Sequence, residues 1–390
     1  MSCILIRRRS SDMFKRIPLL LILLFLSILL CLPGCAAENS AKGFGDPEIA
    51  GSMELRYAQQ FSVDYLTDGC SLISIQNSGR FLLVPEGQEP SMHMDEDITI
   101  LRQPVENIYL AATSAMCLFD ALDALAHISM SGTKADGWYV ENARASMNRG
   151  DIVYAGKYSA PDYEMLMAKN CRLAIESTMI NHNPEVREKL ETLGIPVMME
   201  RSSYEIHPLG RTEWMKLYGL LCGKAELADQ LFNEQAAFLN DIPPESTGKT
   251  IAFFYISSTG NAVARKSGDY VVKMIELAGG KYVFDDIGNA NVATGSVNLE
   301  MEQFYAGAKD ADVVIYNSSI DGEIHTIAEL LAKSHLLADF KAVQNGDVWC
   351  TSKNLFQETT AFGLMISDLN RIVTEDMSEV NQLNFFYKLR

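Results

Sequence analysis

Residues 162–175 read Asp162-Tyr163-Glu164-Met165-Leu166-Met167-Ala168-Lys169-Asn170-Cys171-Arg172-Leu173-Ala174-Ile175. An acidic opening, a short helical run and a tight turn into an apolar, β-competent segment make one helix-to-strand unit. The second half of the chain uses the same grammar. Asn298-Leu299-Glu300 opens a helix that passes through Lys309-Asp310-Ala311-Asp312 into Val313-Val314-Ile315. Each half therefore carries a glutamate in the first turn of a helix feeding a strand, although no sequence repeat relates the two halves.

Outward from these units, strand-like and helix-like segments alternate. Ile108–Ala112, Asp151–Ala155, Cys171–Ile175 and Ile195–Met199 read as strands, interleaved with helices at Ala115–Leu125, Pro161–Lys169 and Pro184–Leu193. Past residue 243, strands at Thr250–Ile256, Val313–Tyr316 and Val348–Cys350 interleave with helices at Tyr270–Leu277, Asn298–Lys309 and Thr360–Val373. Such alternation specifies mostly parallel sheets covered by helices. A helical stretch from Arg211 to Asn240, broken near Gly223 and stopped by Pro243-Pro244, separates the halves. Ahead of everything, Leu55–Tyr65 and Cys70–Ile75, joined by Thr67-Asp68-Gly69, read as a hairpin edge. The expected fold is α/β: two lobes joined by a single long inter-lobe helix, with a ligand cleft between them. The boundaries are 54–210 for the N-terminal lobe, 211–242 for the helical linker and 243–390 for the C-terminal lobe.

The amino terminus sets the compartment. Arg7, Arg8, Arg9, Lys15 and Arg16 precede an apolar run from Ile17 to Leu32 that ends in Leu32-Pro33-Gly34-Cys35. Basic start, short apolar core and small-residue exit make a secretory signal over 1–34, and the run is shorter than the ~20 residues of a spanning helix. A cysteine at the exit resembles the bacterial lipobox, which implies lipidation at Cys35. A plain membrane anchor is the alternative, because Pro33 is unusual at its position and Cys31 lies close by. Residues 35–53 are small and polar, a tether. Residues 1–34 hold five basic residues and one acidic one, so the chain's net charge of −17 becomes about −21 without them. That acidity argues against nucleic acid or anionic lipid as partner and favours docking on a basic surface.

Several chemistries are excluded by pattern. Cys70, Cys117, Cys171, Cys222 and Cys350 are odd in number, widely spaced and without CxxC, so no disulfide framework or cysteine-based metal site is expected. The six histidines form no HxxxH or HxH pair, so no metal site is assigned. Thr247-Gly248-Lys249-Thr250 mimics the end of a phosphate loop, but Pro243 stands where its first glycine belongs and a strand follows. No GxSxG elbow or HExxH helix occurs. The chain is read as a non-enzyme with no cofactor.

The paired glutamate-bearing helices resemble those of the solute-binding proteins that serve ABC importers of iron–siderophore complexes, haem and cobalamin. Glu205-Ile206-His207-Pro208-Leu209-Gly210-Arg211-Thr212-Glu213-Trp214 resembles that family's entrance to the inter-lobe helix. Phe340-Lys341-Ala342-Val343-Gln344-Asn345-Gly346-Asp347-Val348-Trp349 resembles its approach to the last strand. The resemblance spans roughly residues 105–375. It implies a lipid-anchored, extracytoplasmic receptor on the outer face of the cell membrane. Such a receptor captures a siderophore, haem or cobalamin-type ligand and delivers it to an ABC permease dimer with a cytoplasmic ATPase. It also implies permease docking by Glu164 on one lobe and by Glu300, or Glu302, on the other.

In open α/β sheets ligands sit beyond the carboxyl ends of the strands. That rule nominates Thr113, Ser114, Tyr158 and Ser177 in the first lobe, with Tyr139 and Trp138 in a nearby loop. In the second lobe it nominates Arg265, Lys266, Asn317 and Lys353. Trp138 and Trp349 could equally be core. Aromatic walls and basic groups suit flat, anionic ferric complexes. Two other readings stand beside this one: an extracytoplasmic hydrolase with its site between the lobes, and a ligand-sensing domain on the same scaffold.

Overall fold

The computed structural model of the chain describes residues 48–90, 97–243, 245–293, 295–376 and 380–390. The signal, Cys35 and the tether as far as residue 47 lie outside the described residues. Among the described residues no helix is long and apolar enough to cross a membrane.

The chain opens with a five-stranded sheet rather than a hairpin. Its strands are β1 (Ile49–Ser52), β2 (Phe61–Leu66), β3 (Ser71–Ile75), β4 (Gly79–Val84) and β5 (Ile98–Arg102), paired in that order. The stretch expected to end the tether is thus strand β1, held antiparallel to β2. Alternation places Phe61, Val63, Ile73, Ile75, Phe81 and Leu83 on one face, packed against the core of the first lobe. Phe61 meets Trp214 edge-on, with ring centroids 5.0 Å apart.

The first lobe is built on β6 (Ile108–Leu110), β7 (Ile128–Ser131), β8 (Val153–Tyr154), β11 (Leu173–Ser177) and β12 (Val197–Glu200). These run parallel in the order β12-β11-β6-β7-β8. A small hairpin, β9 (Gly156–Lys157) with β10 (Ala160–Pro161), sits between β8 and the helix Tyr163–Ala168. The sheet is apolar on both faces, as covered parallel strands must be. Ile108, Leu110, Leu173 and Ile175 face one core and Tyr109, Met130 and Ala174 the other. Strand order reverses between β6 and β11, so the crevice of this lobe opens at their carboxyl ends.

The second lobe has a seven-stranded sheet. Strands β13 (Thr250–Ile256), β14 (Ala262–Arg265), β15 (Lys281–Tyr282), β16 (Ser296–Leu299), β17 (Val313–Tyr316), β18 (Val348–Thr351) and β19 (Phe386–Lys388) form it. The order is β16-β14-β13-β17-β18-β19, with β15 beside the start of β13. Strands β13, β15, β17 and β18 are parallel, β14 pairs antiparallel with both β13 and β16, and β19 pairs antiparallel with β18. Strand β16 claims Asn298 and Leu299, so the helix expected from Asn298 begins at Met301.

The linker is helical but folds back on itself. Pro208–Leu221 and Ala225–Ala237 are two helices, and Gly223 turns between them at φ +69°, a conformation that glycine adopts without a Cβ clash. The helices pack closely: a Cβ on Gly219 would come within 2.6 Å of the Ala228 Cβ. Gly223 therefore ends the first helix outright, and both helices pack against the second lobe, Pro208–Leu221 through Thr212 and Arg211 and Ala225–Ala237 through Gln235 beside Gly363 and Leu364.

That helix also holds the N-terminal sheet. Five successive backbone N–H groups, Arg56 to Gln60, converge on two carboxylates. Glu213 accepts from Arg56, Tyr57 and Ala58 at 2.8–3.1 Å. Glu205 accepts from Gln59 at 2.8 Å and from Gln60 and the Trp214 indole at 2.9 Å each. This strap occupies the first half of the stretch read as a strand from Leu55, because its N–H groups go to carboxylates instead of a neighbouring strand. Tyr57 stacks on His207 at 4.1 Å, and His207 caps the helix through Nδ1, which accepts the Leu209 N–H. Burial, then nearby Lys273, pushes the His207 imidazole down to about 4, so Nδ1 is available as an acceptor at neutral pH.

Glu213→Ala leaves three backbone donors without their acceptor and is expected to cost about 3 kcal/mol or more. Urea unfolding followed by circular dichroism measures it, with exposed Glu226→Ala as a control that should stay within ~0.5 kcal/mol. Equal midpoints for the two variants would mean that the strap does not depend on Glu213.

Candidate functional site

The carboxyl ends of the two sheets face each other, and the loops beyond them touch. The amide of Gln357 bridges the lobes: its Oε1 accepts the Tyr139 N–H at 2.8 Å and its Nε2 donates to the Gly137 carbonyl at 2.9 Å. Lys353 places its ammonium 5.6 Å from the Tyr139 ring centre. Deeper in, Thr212 on the inter-lobe helix donates to the Thr359 carbonyl at 2.7 Å.

Arg211, one residue before Thr212, ties the floor together. Its Nη2 donates to the Ser203 carbonyl of the first lobe at 2.7 Å and to the Ala293 carbonyl of the second at 3.3 Å. Its guanidinium lies 3.7 Å from the Tyr270 ring centre, and its Nε is buried without a partner. Beyond β12, Arg201 lies over Tyr204 at 4.4 Å. Across the cleft, Arg265 faces Phe356 at 5.0 Å and approaches the buried Asp269 at 3.7 Å. Arginine–aromatic pairs therefore occur on both lobes and on the helix between them, the pair of Arg211 and Tyr270 being buried.

The expected site residues divide into three groups. Thr113 and Tyr139 are exposed, and Ser114, Tyr158, Ser177, Arg265 and Lys266 are half-buried, all at or near strand ends; Lys353 is exposed. Ser114 donates to Glu200 Oε2 at 2.7 Å. Trp138 and Trp349 are core side chains, each 1% exposed, so neither walls a ligand. The Trp138 indole instead donates to Ser131 Oγ at 3.3 Å, beneath the Tyr139 loop. Asn317 sits at the end of β17 but is buried, and its Oδ1 accepts the Ser319 N–H. The sequence reading missed Arg201, Arg211, Tyr204 and Tyr270. Arg211 and Glu205 were in hand as parts of one motif, but nothing in their spacing shows that they bridge lobes and hold a distant strap.

Glu164 and Glu302 occupy matching places. Glu164 is the second residue of Tyr163–Ala168, after the cap Asp162, and Glu302 is the second residue of Met301–Ala308, after Glu300 at the cap position. All three glutamates are exposed. Each helix leads into the strand that pairs in parallel with its lobe's first strand, β11 with β6 and β17 with β13. Away from the cleft, depressions of about 710 Å³ beside Asp120 and Arg149, and about 400 Å³ beside Arg56 and Asp229, lie on outer faces. Their charged groups already meet protein partners, such as Arg149 with Asp151 and Lys216 with Asp229. Among the described residues no group of three or more histidine, cysteine, aspartate or glutamate side chains could hold a metal ion.

A two-lobed α/β protein with mostly parallel sheets and a helix between the lobes has the architecture of a class III solute-binding protein. The chain belongs to the periplasmic binding protein family, whose sequence profile matches residues 116–355, more than half of its length. An uncharacterized lipoprotein of Methanocaldococcus jannaschii is 23% identical over 91% of this chain and 92% of its own. A second from the same organism is 25% identical over 95% and 99%. The periplasmic heme-binding protein HutB of Vibrio cholerae shares the fold at a TM-score of 0.54 and 17% identity, covering 68% of this chain and 98% of its own. A periplasmic binding protein from Veillonella parvula aligns at a TM-score of 0.55 and 14% identity, over 80% and 97%.

One buried acid stands apart from all these contacts. Glu176, at the carboxyl end of β11, is fully buried and neither oxygen has a hydrogen-bond partner. Burial pushes its carboxyl up to about 8, so it is held mainly as the neutral acid at pH 7. Unfolding releases that proton between the usual carboxylate range and pH 8, so stability falls with rising pH across this window, by up to about 1.4 kcal/mol per unit. Glu176→Gln removes the titration. Its melting temperature should exceed that of wild type at pH 8 and approach it at pH 5; parallel pH profiles would refute the assignment.

Proposed function

We propose that this protein is a lipid-anchored, extracytoplasmic receptor that captures an anionic metal chelate in the inter-lobe cleft and delivers it to an ABC permease. The observation that carries the reading is the junction between the lobes, where Arg211 bonds carbonyls of both lobes while Arg201 lies over Tyr204 on the first lobe and Arg265 over Phe356 on the second. Guanidinium groups over aromatic faces suit flat ligands bearing carboxylate or phenolate oxygens. Family membership supports binding for transport over catalysis, and the heme-binding neighbour supports a ligand of haem or siderophore type rather than a bare metal ion.

Glu164 and Glu302 are the proposed docking pair, because they hold the same helical position on corresponding helices; Glu300 corresponds instead to the cap Asp162. A permease dimer would meet them with basic side chains, helped by the chain's acidic balance. Lipidation at Cys35 would tether the receptor to the outer face of the membrane.

A thermal-shift screen of residues 36–390 with haemin, cobalamin, ferric citrate, ferric hydroxamates and ferric catecholates tests the ligand class. A ligand at 100 times its dissociation constant should add ~2.7 kcal/mol of stability. Stabilisation by bare metal ions alone would overturn the chelate reading. Reversing Glu164 and Glu302 together to lysine should abolish uptake of that ligand in cells while affinity in solution stays unchanged. Intact uptake in the double variant would remove the docking assignment and favour a sensor.

A further inference from the structure

The family match begins at residue 116, after the last strand of the N-terminal sheet. That sheet nevertheless reaches the cleft through one side chain. Gln60 is the last residue of the strap, with its N–H on Glu205 and its carbonyl accepting the Gln76 N–H at 2.9 Å. Its backbone is thus held from both sides, and its side-chain Oε1 accepts the Arg201 Nε at 3.1 Å. Arg201 follows the last residue of β12, so it stands at the ligand edge of the first lobe. The adjacent Ser203 carbonyl receives Arg211, which also bonds Ala293 of the opposite lobe, so the 201–204 loop borders the inter-lobe floor.

Two features make this arrangement unlike an ordinary structural arginine. Arg201 is 9% exposed, yet no carboxylate pairs with it among the described residues. The two buried acids nearest in sequence are already engaged: Glu200 by Ser114 and the Ser202 N–H, Glu205 by the strap and Trp214. The group that orients Arg201 is a neutral amide, and the face of Tyr204 supports it at 4.4 Å. An amide aims the guanidinium without neutralising it, and the positive charge is kept for something else. Bidentate pairing with a carboxylate is what an oriented guanidinium does best.

We infer that Arg201, positioned by Gln60 and Tyr204, binds a carboxylate of the captured ligand, which makes the N-terminal sheet part of the ligand site. The inference rests on the cleft being the ligand site. Gln60 is a positioning residue, and Arg201 touches the ligand.

Isothermal titration with haemin and ferric citrate, which carry free carboxylates, and with a ferric trihydroxamate lacking them, tests it on residues 36–390. Arg201→Gln should weaken the carboxylate-bearing probes by roughly tenfold or more and leave the trihydroxamate unchanged. Gln60→Glu is the sharper variant. It places a charge against Arg201 that keeps the guanidinium oriented and satisfied, so the melting temperature of the unliganded protein should hold or rise. Affinity for the carboxylate probes should fall all the same, whereas Gln60→Ala should lose less. Wild-type affinity in both Arg201→Gln and Gln60→Glu would overturn the inference while leaving chelate capture intact. Wild-type protein that binds only the trihydroxamate would overturn the carboxylate assignment. Wild-type protein that binds none of the three would overturn this inference, whereas the chelate reading falls only if cobalamin and the ferric catecholates fail to bind as well.

Discussion

Two carboxylates on one short segment, Glu205 and Glu213, receive every backbone N–H from Arg56 to Gln60. Successive N–H groups aimed at carboxylates form a concave anion site, and here the anions are the protein's own, Glu213 on the inter-lobe helix and Glu205 just ahead of it. Neither partner could be buried alone, since an unpaired carboxylate and unpaired backbone donors are both costly away from water. Together they fuse the N-terminal sheet, the core of the first lobe and the helix that meets the second lobe. The floor of the cleft stands on the same helix, because Arg211 and Thr212 lie between the two glutamates in sequence.

This anchoring bears on how the protein moves. Lobe closure has to take place about a helix that is pinned on one side by the strap and packed on the other against Ala225–Ala237. At the floor Arg211, Thr212 and the helix Ala225–Ala237 tie the lobes together, and the contacts at the rim are polar, Gln357 to the Tyr139 loop and Lys353 over Tyr139. Such contacts separate at small cost compared with an apolar interface. A stiff hinge with weak rim contacts favours only a modest change in the angle between the lobes.

The cleft's electrostatics follow from what each carboxylate does elsewhere. The chain is strongly acidic overall, yet the acids near the cleft are occupied. Glu200 bonds Ser114, Glu205 holds the strap, Asp269 caps the helix Tyr270–Leu277, and Glu176 is buried largely as a neutral acid. Arg265 pairs with Asp269, whereas Arg201 and Arg211 are held by neutral partners, the Gln60 amide and the Ser203 and Ala293 carbonyls.

Much of the fold was written in local pattern. Apolar runs of strand length between helical segments announced two α/β lobes, since covered parallel strands have no polar face to hide. Gly223 and Pro243-Pro244 marked the break and the end of the linker, and Glu164 stood out because a first-turn acid is a local signal. Trp138 and Trp349 were ambiguous because indole suits a cleft wall and a core alike, and only packing buried them. The strand at Leu55 was misread because a strap bound by carboxylates has the composition of a strand. What the sequence by itself determined was the order and type of elements, the compartment signal and the acidic balance, all properties of neighbours along the chain. Which residues line the cleft was decided only by tertiary structure. Gln60 and Arg201, or Arg211 and Ala293, are joined across a distance in sequence that no periodicity spans, and their geometry exists only once both lobes and the strap have packed.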